Sequence, residues 1–287
     1  MPYADIRGVQ IFYEVLGTEG PWLALNSGGR NSHQEMVLFA QTIAKHGYRV
    51  VVHDRRNLGA SQMLYEGDEG EEEIWADDLY LLMKSLGALP AFFSGSSAGA
   101  RLCMLVKRRH PEAVRGLLLM RVTGGEFAAG RLPNMYYLQY INAVKEGGMA
   151  GLCETLPYQD RLALNPANRD YLMKMDPQVY IAQMEHWLGK FLLGPRSPVM
   201  GMENAELEAY QLPVLVIPGN DKTHASVNGL AAAELIPNSE LFQLPIEDQD
   251  IDLADLDDAY EQDLDQESYQ SDEQAQNAQQ TLQQPAF

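Results

Sequence analysis

Residues 95–99 read Gly-Ser-Ser-Ala-Gly, and this motif constrains the fold more than any other stretch of the chain. An apolar run at 91–93 precedes the motif, and a helix-forming run at 100–110 follows it. A G-x-S-x-G sequence between a strand and a helix predicts a sharp turn, because glycine allows the backbone to pass close to itself. Such a turn holds its central residue, Ser97, in strained backbone geometry above the edge of a sheet.

The predicted position of Ser97 suits a nucleophile. At the N-terminus of a helix, the helix dipole and the unpaired N–H groups favour developing negative charge. Ser96 is the competing hydroxyl, but Ser97 occupies the middle of the motif. The alternative is that Ser97 only fills a tight turn.

Strand and helix patterns alternate along most of the chain. The predicted helices before and after the elbow are at 35–45, 74–86, 100–110 and 226–235. The predicted strands are at 9–15, 22–25, 48–53, 91–93, 116–121, 213–218 and 240–244. This alternation predicts an α/β fold, with a mainly parallel central sheet that carries helices on both faces.

Residues 125–208 depart from this alternation. They contain helical patterns around 135–145 and 180–193 and no strand pattern. We interpret this stretch as a helical cap inserted between two strands of the sheet, so that 1–124 and 209–265 together form the core.

Composition excludes several classes of function. The formal net charge of −19 argues against nucleic acid and anionic membrane surfaces as partners. Cys103 and Cys153 form neither a disulfide framework nor a metal motif, and we expect neither a metal nor another cofactor, since no phosphate-binding or dinucleotide motif is present. The chain shows no leader pattern and no long apolar run, so we expect a cytoplasmic protein. The sequence is compatible with a homodimer but does not decide it.

The acidic residues are concentrated at the C-terminus. From Glu247 onward the chain has thirteen acids and no lysine or arginine. Residues 251–260 show helical spacing of apolar side chains. Residues 266–287, rich in glutamine and acids, are expected to form a disordered tail, the alternative being an acidic interaction tail.

Four motifs in this order resemble the α/β-hydrolase superfamily over about residues 8–265. They are the loop Ser-Gly-Gly-Arg at 27–30, the turn at 54–61, the elbow at 95–99 and the turn Pro-Gly-Asn-Asp at 218–221. The resemblance implies an α/β-hydrolase fold with Ser97 as the nucleophile.

The resemblance also implies partners for Ser97. The oxyanion hole would use the backbone N–H groups of Ala98 and of either Gly28 or Gly29. Asp221 would be the acid that orients a histidine. The alternatives are a simple glycine turn at the first site and an aspartate that caps the next helix at the second.

The histidine is the unresolved part of the prediction. The family places it after the last strand, where this chain has Gln249 and no histidine beyond it. A glutamine amide does not titrate near neutral pH and cannot cycle a proton. His224, three residues after Asp221, is one candidate base, and a site deficient in hydrolysis is another explanation. A third explanation is a carboxylate with a raised pKa, the candidates being Glu247, Asp248 and Asp250.

Further residues are candidates for the substrate pocket. Arg30 and His33 follow the early glycine loop, while Tyr137, His186 and Trp187 belong to the predicted cap. The cap is rich in tyrosine, tryptophan, phenylalanine and methionine, which would favour a mainly apolar substrate. The alternative is that these residues pack the cap onto the core.

These features together predict a hydrolase that cleaves a small, mainly apolar ester, lactone or amide through Ser97. The alternative is an α/β-hydrolase-fold protein, without the usual histidine, that binds a ligand or catalyses a non-hydrolytic step such as an elimination or C–C cleavage.

Overall fold

The computed structural model describes residues 2–244, and these contain one eight-stranded sheet. Its strand order is β1-β2-β4-β3-β5-β6-β7-β8. The strands are β1 (Tyr3–Ile6), β2 (Val9–Leu16), β3 (Trp22–Asn26), β4 (Arg49–His53), β5 (Ala91–Ser96), β6 (Val114–Met120), β7 (Val214–Ile217) and β8 (Ser239–Leu241).

The sheet is mainly parallel, as predicted. β1 pairs antiparallel with β2, and β2 pairs antiparallel with β4. The remaining neighbours in the sheet, in the order β4-β3-β5-β6-β7-β8, all pair in parallel. Parallel strands place their carboxyl ends along one edge, where ligands bind in open α/β sheets. β1 was not predicted, and β8 ends at Leu241 instead of 244.

The α-helices within the described residues connect the strands and fill the segment between β6 and β7. They are α1 (Val37–Lys45), α2 (Glu71–Ser85), α3 (Ala98–Arg109), α4 (Gly125–Pro133), α5 (Gln139–Glu154), α6 (Leu156–Leu164), α7 (Ala167–Lys174), α8 (Pro177–Leu192), α9 (Asn204–Glu208) and α10 (Ser226–Leu235). A 3₁₀ turn, His33–Met36, precedes α1, and a π-helical turn, Asn134–Leu138, joins α4 to α5.

Both faces of the sheet are covered by helices. In β3, Leu23 and Leu25 pack with Ala40 of α1 on one face. The intervening Ala24 packs on the other face with residues of α2 and α3, among them Leu79. This period of two, with both faces buried, is what a parallel α/β sheet requires.

The segment 125–208 is helical throughout its regular structure and contains no strand. Its apolar side chains form a cluster of their own, which is centred on large side chains such as Tyr158, Tyr180 and Trp187. The segment meets the core through Met63, Tyr65 and Ile74, which join the same cluster.

Several sequence predictions fall outside the described residues. These are Gln249, the three candidate carboxylates Glu247, Asp248 and Asp250, the helix at 251–260 and the tail at 266–287. Within residues 2–244, none of the helices combines the length and the apolar character needed to cross a membrane.

Candidate active site

The turn that carries Ser97 has the strained geometry that its sequence predicts. Ser97 has φ 56° and ψ −117°, outside the helical and extended regions, and α3 begins at the next residue. A Cβ atom on Gly99 would lie 2.5 Å from the carbonyl oxygen of Asn26. A Cβ atom on Gly95 would lie 2.5 Å from the carbonyl oxygen of Gly99. The two glycines therefore let β5, α3 and the end of β3 approach closely enough to form the turn.

Ser97, His224 and Asp221 form a continuous hydrogen-bonded chain. The Ser97 Oγ lies 2.8 Å from Nε2 of His224. Nδ1 of the same ring lies 2.9 Å from each carboxylate oxygen of Asp221. Ser97 follows β5, and the other two residues follow β7, so the parallel strands deliver all three to the same edge of the sheet. The arrangement is that of a serine, a base and an orienting acid.

A compact loop makes it possible for the acid and the base to lie only three residues apart. Asp221 Oδ1 accepts hydrogen bonds of 2.9 Å from the backbone N–H groups of Thr223 and His224. These bonds fold the chain back on the carboxylate, so that the His224 ring stands beside it. A Cβ on Gly219 would collide with the carbonyl oxygen of His224, which explains why glycine is needed there.

Asp221 is ionised at neutral pH. Burial by itself raises the pKa of Asp221, but the hydrogen bond and the charge of His224, the backbone donors and the nearby guanidinium of Arg121 outweigh burial and lower the pKa to about 2. Arg121 also forms an ion pair with the carboxylate. An ionised Asp221 accepts a hydrogen bond from Nδ1–H of His224, which keeps the ring proton on Nδ1 and leaves Nε2 free to accept the proton of Ser97.

A second hydroxyl contacts that of Ser97. Thr123 Oγ1 lies 3.2 Å from Ser97 Oγ, and the Thr123 side chain is buried. Thr123 follows β6, the strand between those that carry Ser97 and His224. The sequence analysis missed this contact, because no motif marks the residue.

The structure distinguishes between the two glycines proposed for the oxyanion hole. The N–H of Gly28 donates a 2.7 Å hydrogen bond to Oε2 of Glu35, so it is already occupied. The N–H of Gly29 makes no hydrogen bond to a described residue. Ala98 is the first residue of α3, so its N–H has no acceptor four residues earlier in that helix.

Ser97 opens into a cavity of about 1310 Å³. The candidate residues Gly28, Gly29, Arg30, Asp221 and His224 line it as well. The helices of segment 125–208 contribute another part of its wall, including Arg131, Leu132, Tyr136, Gln139, Tyr140 and Arg161.

His33 and His186 do not line this cavity. His33 is buried, with Nδ1 3.0 Å from Asp54 and its ring packed against Phe12. His186 is on the exposed side of α8, where Nε2 lies 2.9 Å from the carbonyl oxygen of Asp68. Both were predicted as pocket candidates from their place in the chain, which does not reveal the direction of a side chain.

Tyr137 and Trp187 are also separated from Ser97. Both are almost fully buried and line a second cavity of about 470 Å³, beside Phe191. Their burial in the apolar cluster of segment 125–208 agrees with the alternative that these aromatic residues pack the helices.

The sequence analysis named Arg30 but overlooked two other arginines of the large cavity, Arg131 and Arg161. Arg131 places Nη1 3.3 Å from Oγ1 of Thr223, in the loop between Asp221 and His224. Arg161 lies in α6 on the same face as the buried Tyr158 and Leu162. A charged residue at helical spacing between apolar residues was the available signal for Arg161. Within residues 2–244, no group of three or more histidine, cysteine or carboxylate side chains could hold a metal ion.

Comparison with known proteins identifies the family. The chain is 30% identical to the bifunctional esterase/perhydrolase DCH of Acinetobacter calcoaceticus over 265 residues, covering 83% of this chain and 88% of that protein. It is 31% identical to the uncharacterized hydrolase YraK of Bacillus subtilis (strain 168) over 114 residues, covering 40% of this chain and 41% of that protein. No family model matches the chain.

The fold also matches solved structures. The enol-lactonase from Burkholderia xenovorans LB400 superposes with a TM-score of 0.59 and 20% identity, over 89% of this chain and 96% of that chain. The chain belongs to the α/β-hydrolase superfamily, which confirms the fold predicted from its four motifs. The relatives support an enzyme of the hydrolase family.

Proposed function

We propose that the protein is a serine hydrolase that cleaves an ester, lactone or amide, with Ser97 as nucleophile, His224 as base and Asp221 as orienting acid. The observation that carries the proposal is the 2.8 Å contact between Ser97 Oγ and His224 Nε2. The ring of His224 is in turn held by a carboxylate of low pKa. A nucleophile, a base and an orienter within hydrogen-bond reach are the signature of an activated serine.

In the proposed reaction, Ser97 Oγ attacks the substrate carbonyl while Nε2 of His224 takes its proton. The N–H groups of Ala98 and Gly29 donate to the oxyanion, each contributing about 3 kcal/mol of transition-state stabilisation. His224 then returns the proton to the leaving group. A water molecule, deprotonated by the same nitrogen, hydrolyses the acyl-enzyme and regenerates Ser97.

We also propose that segment 125–208 acts as the cap of this site. Leu132, Tyr136, Tyr140 and Arg161 of the segment share one cavity with Ser97. The expectation of a mainly apolar substrate depended on the aromatic and methionine content of the cap. Tyr137 and Trp187 are packed away from that cavity, so they do not determine the polarity of the substrate. The residues that line the cavity determine it.

The non-hydrolytic alternative was motivated by Gln249, which stands where the family has its histidine. His224 supplies an imidazole at hydrogen-bond distance from Ser97, so the absence of a histidine at 249 no longer favours that alternative. The proposal makes no use of the carboxylates at 247, 248 and 250.

Turnover of simple esters tests the proposal. We expect 4-nitrophenyl acetate or butyrate to be hydrolysed by the wild type, and Ser97→Ala to lower kcat/KM by on the order of 10⁴-fold or more, since the nucleophile is lost. Circular dichroism of Ser97→Ala provides the folding control. An unchanged rate in the variant would refute Ser97 as the nucleophile.

A further inference from the structure

Arg161 is a buried cation that has no acidic partner among residues 2–244. Its side chain is in α6, and the residue is only 4% exposed. Nη2 lies 3.4 Å from the hydroxyl of Tyr140, and Nη1 has no hydrogen-bond partner among residues 2–244. The guanidinium carbon is 4.7 Å from the ring centre of Tyr158 and 5.4 Å from that of Tyr140. No described carboxylate forms a salt bridge with it.

Other buried arginines in the described structure do have acidic partners. Arg56 pairs with Asp78 at 2.9 Å, and Arg101 pairs with Glu72. Arg55 lacks a carboxylate, but its Nη2 is 2.9 Å from the carbonyl oxygen of Gly29 and it does not line the large cavity. Arg30 and Arg161 are the arginines with buried side chains that line the large cavity in the described structure, and Arg161 differs from Arg30 because no described carboxylate pairs with it.

An unpaired guanidinium is costly to bury. A guanidinium stays charged at every physiological pH, so it cannot relieve the cost of burial by losing a proton. The desolvation of an isolated charge is offset only when a counter-charge and hydrogen bonds replace water. Contacts with tyrosine rings recover part of this free energy but provide no acceptor for Nη1.

The surroundings of Arg161 add positive charge. Arg30 lines the same cavity. Burial and the charge of Arg30 lower the pKa of Arg161, but the neighbouring tyrosines outweigh both, so the pKa is raised overall. Glu71 pairs with Arg30, so this carboxylate is already engaged and forms no salt bridge with Arg161. Of the acids that line the cavity, Glu35 accepts from Gly28 and Asp221 from His224, whereas Asp160 is exposed and forms no ion pair with Arg161.

We propose that Arg161 binds a carboxylate of the substrate, so that the enzyme acts on an ester or lactone that carries a free carboxylate. The inference rests on the proposed hydrolase function for its reaction, and on the unpaired cation for its substrate class. The carboxylate accepts from Arg161 while the ester carbonyl meets Ser97 across the same cavity. A carboxylate on a guanidinium makes short, charge-assisted hydrogen bonds that a neutral group cannot match.

Paired substrates test this assignment. We compare monomethyl glutarate with methyl pentanoate, and monomethyl adipate with methyl hexanoate, following acid release with a pH-stat. The members of each pair have equal acyl length and differ in the terminal carboxylate. We expect the wild type to prefer the carboxylated member by about tenfold or more in kcat/KM.

Arg161→Met is the informative variant, since it keeps much of the side-chain volume without the charge. We expect it to abolish the preference, lowering kcat/KM for the carboxylated esters about tenfold or more while leaving the neutral esters within about threefold. Arg161→Lys keeps the charge but loses the planar fork, and should retain part of the preference. The control is Arg115→Met, an exposed residue of β6, which should change neither.

Two further measurements separate the two proposals. Arg161→Met should melt at a temperature equal to or above that of the wild type, because it removes an uncompensated charge, and this also confirms folding. Adipate should bind Ser97→Ala in calorimetry and lose binding when Arg161→Met is added. If adipate binding depends on Arg161 but no ester is hydrolysed, the result would support the proposed anion site and refute the proposed hydrolase function.

Equal losses for carboxylated and neutral esters in Arg161→Met, or a wild type without a preference for the carboxylated member, would overturn the anion site. Either result would leave the hydrolase proposal intact, because neutral ester turnover by Ser97 does not require Arg161.

Discussion

Among residues 2–244, the pairs His224–Asp221 and His33–Asp54 look alike at Nδ1 of the histidine and differ at Nε2. Nδ1 of His224 lies 2.9 Å from Asp221, and Nδ1 of His33 lies 3.0 Å from Asp54. Nε2 of His224 continues to Ser97 Oγ at 2.8 Å. Nε2 of His33 instead lies 3.8 Å from Glu14, away from any nucleophile.

The two aspartates also differ in what else they hold. Asp54 is fully buried and accepts from the backbone N–H groups of His33 at 2.6 Å and Ala60 at 2.7 Å. It ties the loop after β3 to the loop after β4. Asp221 holds the short loop that orients His224. A histidine–carboxylate contact is therefore insufficient to identify a catalytic base, because the role depends on what the remaining nitrogen faces.

The largest expected effect separates the two histidines. His224→Ala should lower kcat/KM for a neutral ester by on the order of 10³-fold or more, because Ser97 loses its only imidazole partner in the described structure. Steady-state kinetics with 4-nitrophenyl butyrate measure it, and His33→Gln serves as the matched control. A His224→Ala enzyme within tenfold of the wild type would mean that another group is the base.

Asp221→Asn should have the next largest effect. An amide in place of the carboxylate no longer favours the tautomer with its proton on Nδ1, so Nε2 becomes protonated in the neutral ring and cannot accept from Ser97. We expect kcat to fall on the order of 10²-fold or more, with KM changed much less. A proportionate rise in KM at constant kcat would indicate instead that Asp221 contributes to substrate binding.

His33→Gln should affect stability and its pH dependence while leaving activity within about threefold. Burial lowers the pKa of His33, but the hydrogen bond and charge of Asp54 outweigh it, so the folded-state pKa is raised above 6.5. A raised histidine pKa stabilises the folded state fully below pH 6.5, and this stabilisation is lost as pH rises through the folded-state pKa.

Thermal melts between pH 5 and 9 measure that difference. The Tm of the wild type should exceed that of His33→Gln most at the acidic end, and the gap should narrow as pH increases. A gap that widens with pH would contradict the direction of the pKa shift.

Gln249→His should have the smallest effect. If His224 already serves Ser97, a second histidine at the position customary for the family adds no missing function, and kcat/KM should stay within about twofold of the wild type. A large gain in ester turnover would show instead that the enzyme lacks a working base.

The sequence predicted those parts of the site that depend on local backbone chemistry. Gly95 and Gly99 mark the elbow because any side chain there would collide with neighbouring backbone. His224 could be ranked as a base because it lies three residues from Asp221 on one short loop. The fold followed similarly from alternating strand and helix patterns, although β1 and the bounds of β8 did not.

The sequence could not reveal which long side chains converge on the cavity. Thr123 and Arg161 belong to no motif. The pairing of β6 with β5 brings Thr123 to Ser97, whereas the packing of segment 125–208 on the core brings Arg161 to the cavity. The same packing buries Tyr137 and Trp187 away from the Ser97 cavity. The wall of the cavity combines apolar residues such as Leu132 and Tyr136 with the guanidiniums of Arg30, Arg131 and Arg161, which composition did not indicate.

The most direct test of the central claim, that His224 activates Ser97, is the rate of covalent labelling by a fluorophosphonate, followed by intact mass. We expect a single label on the wild type and on His33→Gln at similar rates, no label on Ser97→Ala, and labelling slowed by on the order of 10²-fold or more in His224→Gln. Labelling of His224→Gln at the wild-type rate, or an unreactive wild type, would contradict the account.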